Sequence, residues 1–308
     1  MKQTNVGRSG LRVGQLGIGT LTWGRDTELD DAQRMVAALL DAGGNLIDIS
    51  PRYGSGLAQQ VLGQILADGI NRRELVIVAH TDPMVGGRAG ILDSLHELLE
   101  NLGTSYVDVV QVGGLDPRVP FEETLAALAS VVDAGAARYI GLANHPAWRA
   151  AQAAQYLRDL HLPHLATLGL DYSLLNRRAE RGSLAVADEF GIGIFAQSPL
   201  AGGTLTGKYR HTIPPTSRAA TEHLAATVDR YLDATSRRLV EAVTKAADGL
   251  GRTPVDVSLT WLLSRSGVAA ALCGARTSAQ FEQLLGANLD ALPDPVTEVL
   301  CEVTTPTI

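Results

Sequence analysis

Short runs of apolar residues alternate along this chain with longer stretches whose apolar positions recur every three or four residues. Eight short runs read as strands: "QLGIG" (15–19), "NLIDIS" (45–50), "LVIVAH" (75–80), "VDVVQV" (107–112), "ARYIGLAN" (137–144), "LATLGLDY" (165–172), "IGIFAQ" (192–197) and "GVAAALCGA" (267–275). Helical stretches follow them, among them "DDAQRMVAALLDAG", which Asp30 or Asp31 is expected to cap and Gly43 to end. The strands are apolar almost throughout, which implies burial on both faces and hence a parallel sheet. Eight strand-then-helix units in 308 residues, with no visible linker, predict an α/β fold, a TIM (β/α)8 barrel, as one domain over residues 1–308. A doubly wound open sheet would need a Gly-rich phosphate turn directly after its first strand. "GIGTLTWG" lacks the GxGxxG spacing, and no helix begins there. The leading "VGRSGLRVG" predicts an N-terminal β-hairpin turning at Ser9-Gly10. A long irregular loop, Ala201 to about Asp229, is expected after strand seven.

Composition narrows the function classes. Hydrophobic residues make up 45% and charged residues 19%, enough to bury a sizeable core. A net charge of −7, with no basic run, argues against nucleic acid or an anionic membrane as partner. Two cysteines, Cys273 and Cys301, make neither a disulfide framework nor a thiolate metal site. No apolar run approaches a membrane span, and "MKQTNVGRSG" lacks a signal-peptide core, so a cytoplasmic location is expected. His80, Asp82, Asp116 and His145 stand near strand ends, but no HxH or HExxH pairing is present and no metal is expected.

In such a barrel the chemistry sits at the C-terminal ends of the strands. Asp48 and Tyr53 bracket strand two in "IDISPRYGSG", a plausible general-acid pair, although taken alone they read more readily as a loop cap and a packing ring. "LVIVAHTDP" ends strand three in His80. The glycines and hydroxyls of "SPLAGGTLTGKYR", with Lys208, suit an anion, as does Arg276 at a helix start in "GARTSAQ". His211 and His223, in the long loop, read as solvated.

These segments, together with "GRSGLRVGQLGIGTLTWG", "LIDISPRYGSGLAQQVLG", "VDVVQVGGLDPRVPFEETLAAL", "GAARYIGLAN" and "DYSLLNR", resemble the aldo-keto reductase superfamily. The branch most similar holds bacterial reductases and potassium-channel β-subunits. The resemblance implies NADP(H), favoured over NAD(H), and hydride transfer to carbonyls by Asp, Tyr, Lys and His or Asn. Asp48 and Tyr53 match the first two roles, but the lysine position is His80 and the His/Asn position is Gly113. By the same resemblance Thr20, Asp48, Asn144, Gln197, Ser198, Leu200, Gly202, Lys208, Arg218, Arg276 and Gln280 fall at cofactor-binding positions, and Trp23 lines the substrate pocket or packs under the hairpin. The glutamine expected to hold the nicotinamide amide is Gly169, the aromatic expected to stack on the ring is Gln197, and a Glu-Asn pair at the adenine end is Gln283 and Leu284.

Three readings follow. A hydride-transfer enzyme would act on a small molecule with an activated C=N or C=O group, with Tyr53, Asp48 and His80 as its catalytic residues and His80 as proton donor. A pseudoenzyme, with or without nucleotide, would serve a protein partner. A non-redox enzyme would use Tyr53 and His80 for acid–base work. The first is preferred because the diphosphate region is intact.

Overall fold

The computed structural model describes residues 1–81, 87–114 and 117–305. Asp82 and Asp116 lie outside the described residues. A two-stranded antiparallel hairpin, β1 (Gln3–Asn5) and β2 (Arg12–Gly14), precedes the barrel. The barrel then alternates β3 (Leu16–Gly19), α1 (Leu29–Asp41), β4 (Leu46–Ile49), α2 (Leu57–Ala67), β5 (Val76–Thr81), α3 (Gly87–Leu102), β6 (Val107–Gly113) and α4 (Phe121–Asp133). It continues with β7 (Ala137–Ala143), α5 (Ala147–Asp159), β8 (Leu165–Asp171), α6 (Ser183–Phe190) and β9 (Gly193–Gln197). After β9 come α7 (Glu222–Asp229), α8 (Ala234–Leu250) and α9 (Pro254–Leu263), then β10 (Val268–Cys273), α10 (Ser278–Leu285) and α11 (Asp294–Val303). Strands β3 to β10 are parallel and close on themselves in the order β10-β3-β4-β5-β6-β7-β8-β9. This is the expected TIM barrel with its hairpin.

Alternation along each strand sends every second side chain into the barrel. Inside, Leu46, Val76, Val78, Val109, Phe195 and Leu272 form one apolar cluster with Val6, Leu11 and Val13 of the hairpin, which therefore seals the N-terminal end. The outward side chains, such as Ile47, Ile49, Ile77 and Leu168, pack under the helices in a second, larger cluster. Full burial of a leucine or isoleucine of this kind contributes about 1.5–3 kcal/mol.

Three local expectations change. The hairpin turns at Gly7-Arg8, where Ser9 N–H donates to Val6 O (3.1 Å), rather than at Ser9-Gly10. Gly7 has φ +55°, and a Cβ there would lie 2.2 Å from Gly191 O, so close packing against the barrel fixes the turn. Neither Asp30 nor Asp31 caps α1, whose N-cap is Glu28 with no side-chain bond. Asp31 instead accepts from Ser278 N–H (2.8 Å) at the start of α10, and that backbone bond chiefly lowers its pKa. Gly43 follows the helix end with φ +74°, as expected. The segment after β9 is not irregular throughout: it holds 3-10 turns at Ala201–Thr206 and Arg218–Ala220 and the helix α7.

Asp108, in β6, ties three strands together at the N-terminal end. It accepts from Ile77 N–H (2.9 Å) and Arg72 Nη2 (2.7 Å), and lies 3.5 Å from Arg138 Nη1. Arg72 and Arg138 also lie against the Tyr106 ring, 4.3 and 4.2 Å from its centroid. Asp108→Ala would leave the Arg72 guanidinium with only carbonyl acceptors and no counter-charge, and the Ile77 amide without this acceptor. We expect a loss of about 3 kcal/mol, read as a lower urea midpoint with an unchanged slope.

Candidate functional site

The C-terminal rim is where strands deliver polar side chains. Asp48, on β4, is almost fully buried. Both of its carboxylate oxygens are bonded within the protein: His80 Nε2 to Oδ1 (2.5 Å), and Tyr53 Oη donating to Oδ2 (3.0 Å). His80 comes from β5, which pairs with β4 in register, and faces inward on the same rim. Tyr53 reaches back from the turn after β4. Gly54, Ser55 and Gly56 there all have positive φ (56°, 56° and 92°), a sharp reversal that brings the phenol over the barrel. The two rings meet across the carboxylate with centroids 6.4 Å apart.

Burial pulls the His80 imidazole down, but the Asp48 charge and hydrogen bond outweigh it, so its pKa is raised above the ordinary 6.5. The raised pKa favours the imidazolium form, which donates Nε2–H to Asp48. Burial, and then the Asp48 charge and bond, push the Tyr53 phenol well above its ordinary 10. The cation at this site is His80, and it holds its charge because of Asp48.

Two cavities meet at this cluster. A long cleft of about 860 Å³ runs from Gly19, Asp48 and Tyr53 past Gln197, Ser198, Leu200 and Gly202 to Lys208, Arg218, Arg276 and Gln280. A recess of about 330 Å³ lies on the other side, bounded by Tyr53, His80, Thr81, Gly113, Asn144 and Gln197 among others. Tyr53 and Gln197 belong to both walls. Gln283 and Leu284 stand on the cleft wall as well.

The cleft is cationic. Lys208 is lowered in pKa by burial and by Arg218, and Arg218 by burial and by Arg276. Arg218 Nη2 donates to Gly274 O (3.2 Å). Arg276 donates to Thr216 O (3.0 Å) and Thr221 Oγ1 (2.7 Å), while its buried Nε has no partner. The two acids on the cleft wall, Asp48 and Asp256, are hydrogen bonded within the protein. Beside the cations the chain turns at Gly202 (φ 67°) and Gly203 (φ 93°), and a Cβ on Gly203 would meet Lys208 Nζ at 2.9 Å. An elongated phosphate-bearing ligand answers this: it relieves the repulsion and offers acceptors to the Arg276 N–H. A nicotinamide dinucleotide would fit here, and Lys208, Arg218 and Arg276 would be the residues to hold its phosphates.

Asn144 and Gln280 are fixed by local bonds. Asn144 (φ 56°) donates Nδ2–H to Gln197 Oε1 (2.9 Å) and accepts from Asp171 N–H (2.9 Å). Gln280 Oε1 accepts from Arg276 N–H (3.0 Å). Two residues stand elsewhere than a ligand-contacting role requires. Trp23 is fully buried in the outer core and lies on neither cavity wall, so it packs rather than lining a substrate pocket. Thr20 is also fully buried, its hydroxyl donating to Asp48 O (2.8 Å), and supports β4 from behind. His145 is buried and donates Nε2–H to Val112 O (3.1 Å), with burial lowering its pKa. Among the described residues no three His, Cys, Asp or Glu side chains gather as a metal site, and no helix is long and apolar enough to cross a membrane.

His223 departs from expectation: rather than being simply solvated, its Nε2 lies 2.9 Å from Asp26 Oδ2. Asp26 also lies 3.8 Å from Arg276, so this acid links the loop after β3 to the segment after β9 at the cleft edge. Nothing in the periodicity pairs residues so far apart. Gln111, inside β6, likewise escaped the sequence reading, because its strand is otherwise apolar.

Comparison with known proteins identifies the family. The model of the aldo/keto reductase family matches residues 15–300. The chain is 32% identical to a rice (Oryza sativa subsp. japonica) protein named "Probable voltage-gated potassium channel subunit beta", covering 98% of this chain and 95% of that one. It is 30% identical to "Uncharacterized oxidoreductase YrpG" of Bacillus subtilis (strain 168), covering 98% and 96%.

The His80 proton is the most direct check of the electrostatics. In an NMR titration the imidazole should stay protonated above pH 6.5, and Asp48→Asn should drop its pKa below that value because burial then acts alone. For stability the sign follows from a raised folded pKa. The His80 contribution is fully present below pH 6.5 and is lost as pH rises through the folded value. Wild type should lose its stability advantage over His80→Gln across that window.

Proposed function

The chain belongs to the aldo/keto reductase family, and on that premise we propose that it is an oxidoreductase using NADP(H) to reduce an activated C=N or C=O group of a small molecule. The observation that supports this most is the placing of the Asp48–His80–Tyr53 cluster where the cationic cleft and the small recess meet. A reduced nicotinamide at that junction would supply hydride to the substrate carbon. The protein's own part is the proton.

His80 is the donor. Asp48 takes its Nε2–H, and Nδ1 has no partner among the described residues, so the imidazolium has a second N–H for the substrate heteroatom. After transfer, neutral His80 regains its proton from water entering the recess. Tyr53, held well above its ordinary pKa, donates to Asp48 and is too weak an acid to lead. Gly113 offers no side chain to orient a carbonyl, so the substrate must be easier to reduce than a simple ketone. Imines, vicinal dicarbonyls and quinones meet that condition; a neutral imine takes the His80 proton on nitrogen as hydride reaches its carbon.

NADP is preferred over NAD because Arg276, with an unpartnered N–H, has a guanidinium suited to a terminal phosphate. The competing reading, a nucleotide-binding regulator without turnover, draws on the name of the rice relative and on Gly113. It predicts NADPH binding without oxidation by any of the three substrate classes.

Titration of the purified chain with NADPH and NADH tests the proposal, followed by NADPH oxidation with cyclic imines, dicarbonyls and quinones. Saturable NADPH binding with turnover of one class is expected, and no binding at millimolar cofactor overturns it. Arg276→Ala should weaken NADPH by about tenfold and leave NADH nearly unchanged. His80→Ala should slow turnover by about a hundredfold with little change in NADPH affinity. The wild-type rate should fall as pH rises through the His80 pKa, because the charged form is the one that reacts.

A further inference from the structure

Behind Gln197, on the wall shared by the two cavities, lies a buried feature that the proton chemistry does not use. Gln111 is fully buried inside the barrel. Its Nε2 donates to Thr167 Oγ1 (2.9 Å), and its Oε1 has no partner among the described residues. Two glycines leave room for this group. A Cβ at Gly141 would lie 2.0 Å from Thr167 Oγ1 and 3.0 Å from Gln111 Cγ. A Cβ at Gly169 would lie 2.5 Å from Gln111 Oε1 and 3.0 Å from Gln197 Nε2. Neither glycine has a positive φ, so the backbone does not demand them. What they accommodate is side-chain amide.

Gln197 stands next in this line. Its Oε1 is held by Asn144 Nδ2, and Asn144 is itself fixed by Asp171 N–H and by its own N–H on Gly169 O (2.7 Å). Gln197 Nε2 has no acceptor among the described residues, and with Gln111 Oε1 it occupies the volume that a Gly169 side chain would take. An amide fixed at its oxygen, with donors to spare, thus stands on the wall common to the cleft and the recess.

We propose that Gln197 Nε2 donates to the carboxamide oxygen of a bound nicotinamide, and that Gln111 and Gly169 act as positioning residues that seat Gln197. The amide contact expected from position 169 is in this chain supplied from β9. Restoring a side chain at 169 would not improve the site, because Gln111 and Gln197 already fill that volume. The inference rests on the reductase reading.

The test compares NADPH with 2′-phospho-ADP-ribose, which keeps the phosphates and adenosine but lacks the nicotinamide. Calorimetric affinities would be measured for the full-length wild type, Gln197→Met, Gln111→Leu and Gly169→Ala, with the nicotinamide fluorescence shift on binding as a second readout. Wild type should bind NADPH more tightly than the fragment. Each variant should weaken NADPH by about five- to tenfold, shrink the fluorescence shift and leave fragment affinity unchanged. Gln197→Met lies on the cavity wall and keeps the test open if an interior variant fails to fold. Equal weakening of both ligands, or unchanged NADPH affinity, overturns the inference. So does a wild type that binds fragment and NADPH equally, although the cleft would then still be a nucleotide site. A wild type that binds neither overturns the reductase reading and this inference with it.

Discussion

The Asp48 carboxylate is committed on both sides, to His80 through one oxygen and to Tyr53 through the other. A buried carboxylate is unfavourable unless its lone pairs are answered, and here a cation and a phenol answer them. The consequences spread outward. Asp48 raises the His80 pKa, Tyr53 keeps its proton through burial first and the Asp48 charge second, and the two rings are held about one anchor. A lysine would bring a permanent charge to this place. The imidazolium brings one that depends on Asp48 and on pH.

The cleft shows the opposite imbalance. Arg218 and Arg276 lie close enough to Lys208 to depress it, Arg276 does the same to Arg218, and both acids on the wall are engaged elsewhere. Three crowded cations are a standing electrostatic strain that an anionic ligand relieves. The strain is confined to one cavity of a chain whose net charge is −7, which focuses attraction for phosphate there without making the whole surface basic. Asp26 moderates it at the edge, shared between His223 and Arg276.

Glycine plays two different parts in this barrel. At Gly7 and Gly54 it supplies positive φ, where turns must press against neighbouring backbone. At Gly141 and Gly169 the backbone is ordinary, and glycine makes room for Gln111 and Gln197. Gly113 is different again: a Cβ there would make only ordinary contact with Ala143, 3.6 Å away, so a side chain would fit. Its absence leaves open volume in the recess beside His80, a matter of substrate space rather than of folding.

The barrel itself was legible in the sequence. Eight apolar runs followed by helical periods admit few architectures, and alternation along each run states which residues face inward. Asp48, His80 and Gln197 could therefore be placed on one rim, and Lys208 and Arg276 near one another, from position alone. Trp23 could not be assigned, because a tryptophan near a strand end satisfies a core and a pocket equally, and the packing around it decided for the core. Nor could the hairpin turn, which depends on where the Gly191 carbonyl lies. The bridging of His80 and Tyr53 by one carboxylate, the Asp26–His223 contact and the Gln111–Thr167 and Asn144–Gln197 bonds belong to the tertiary structure alone. Each joins side chains from segments distant in the chain, and hydrogen-bond geometry between such segments is fixed only when the closed sheet sets their separation.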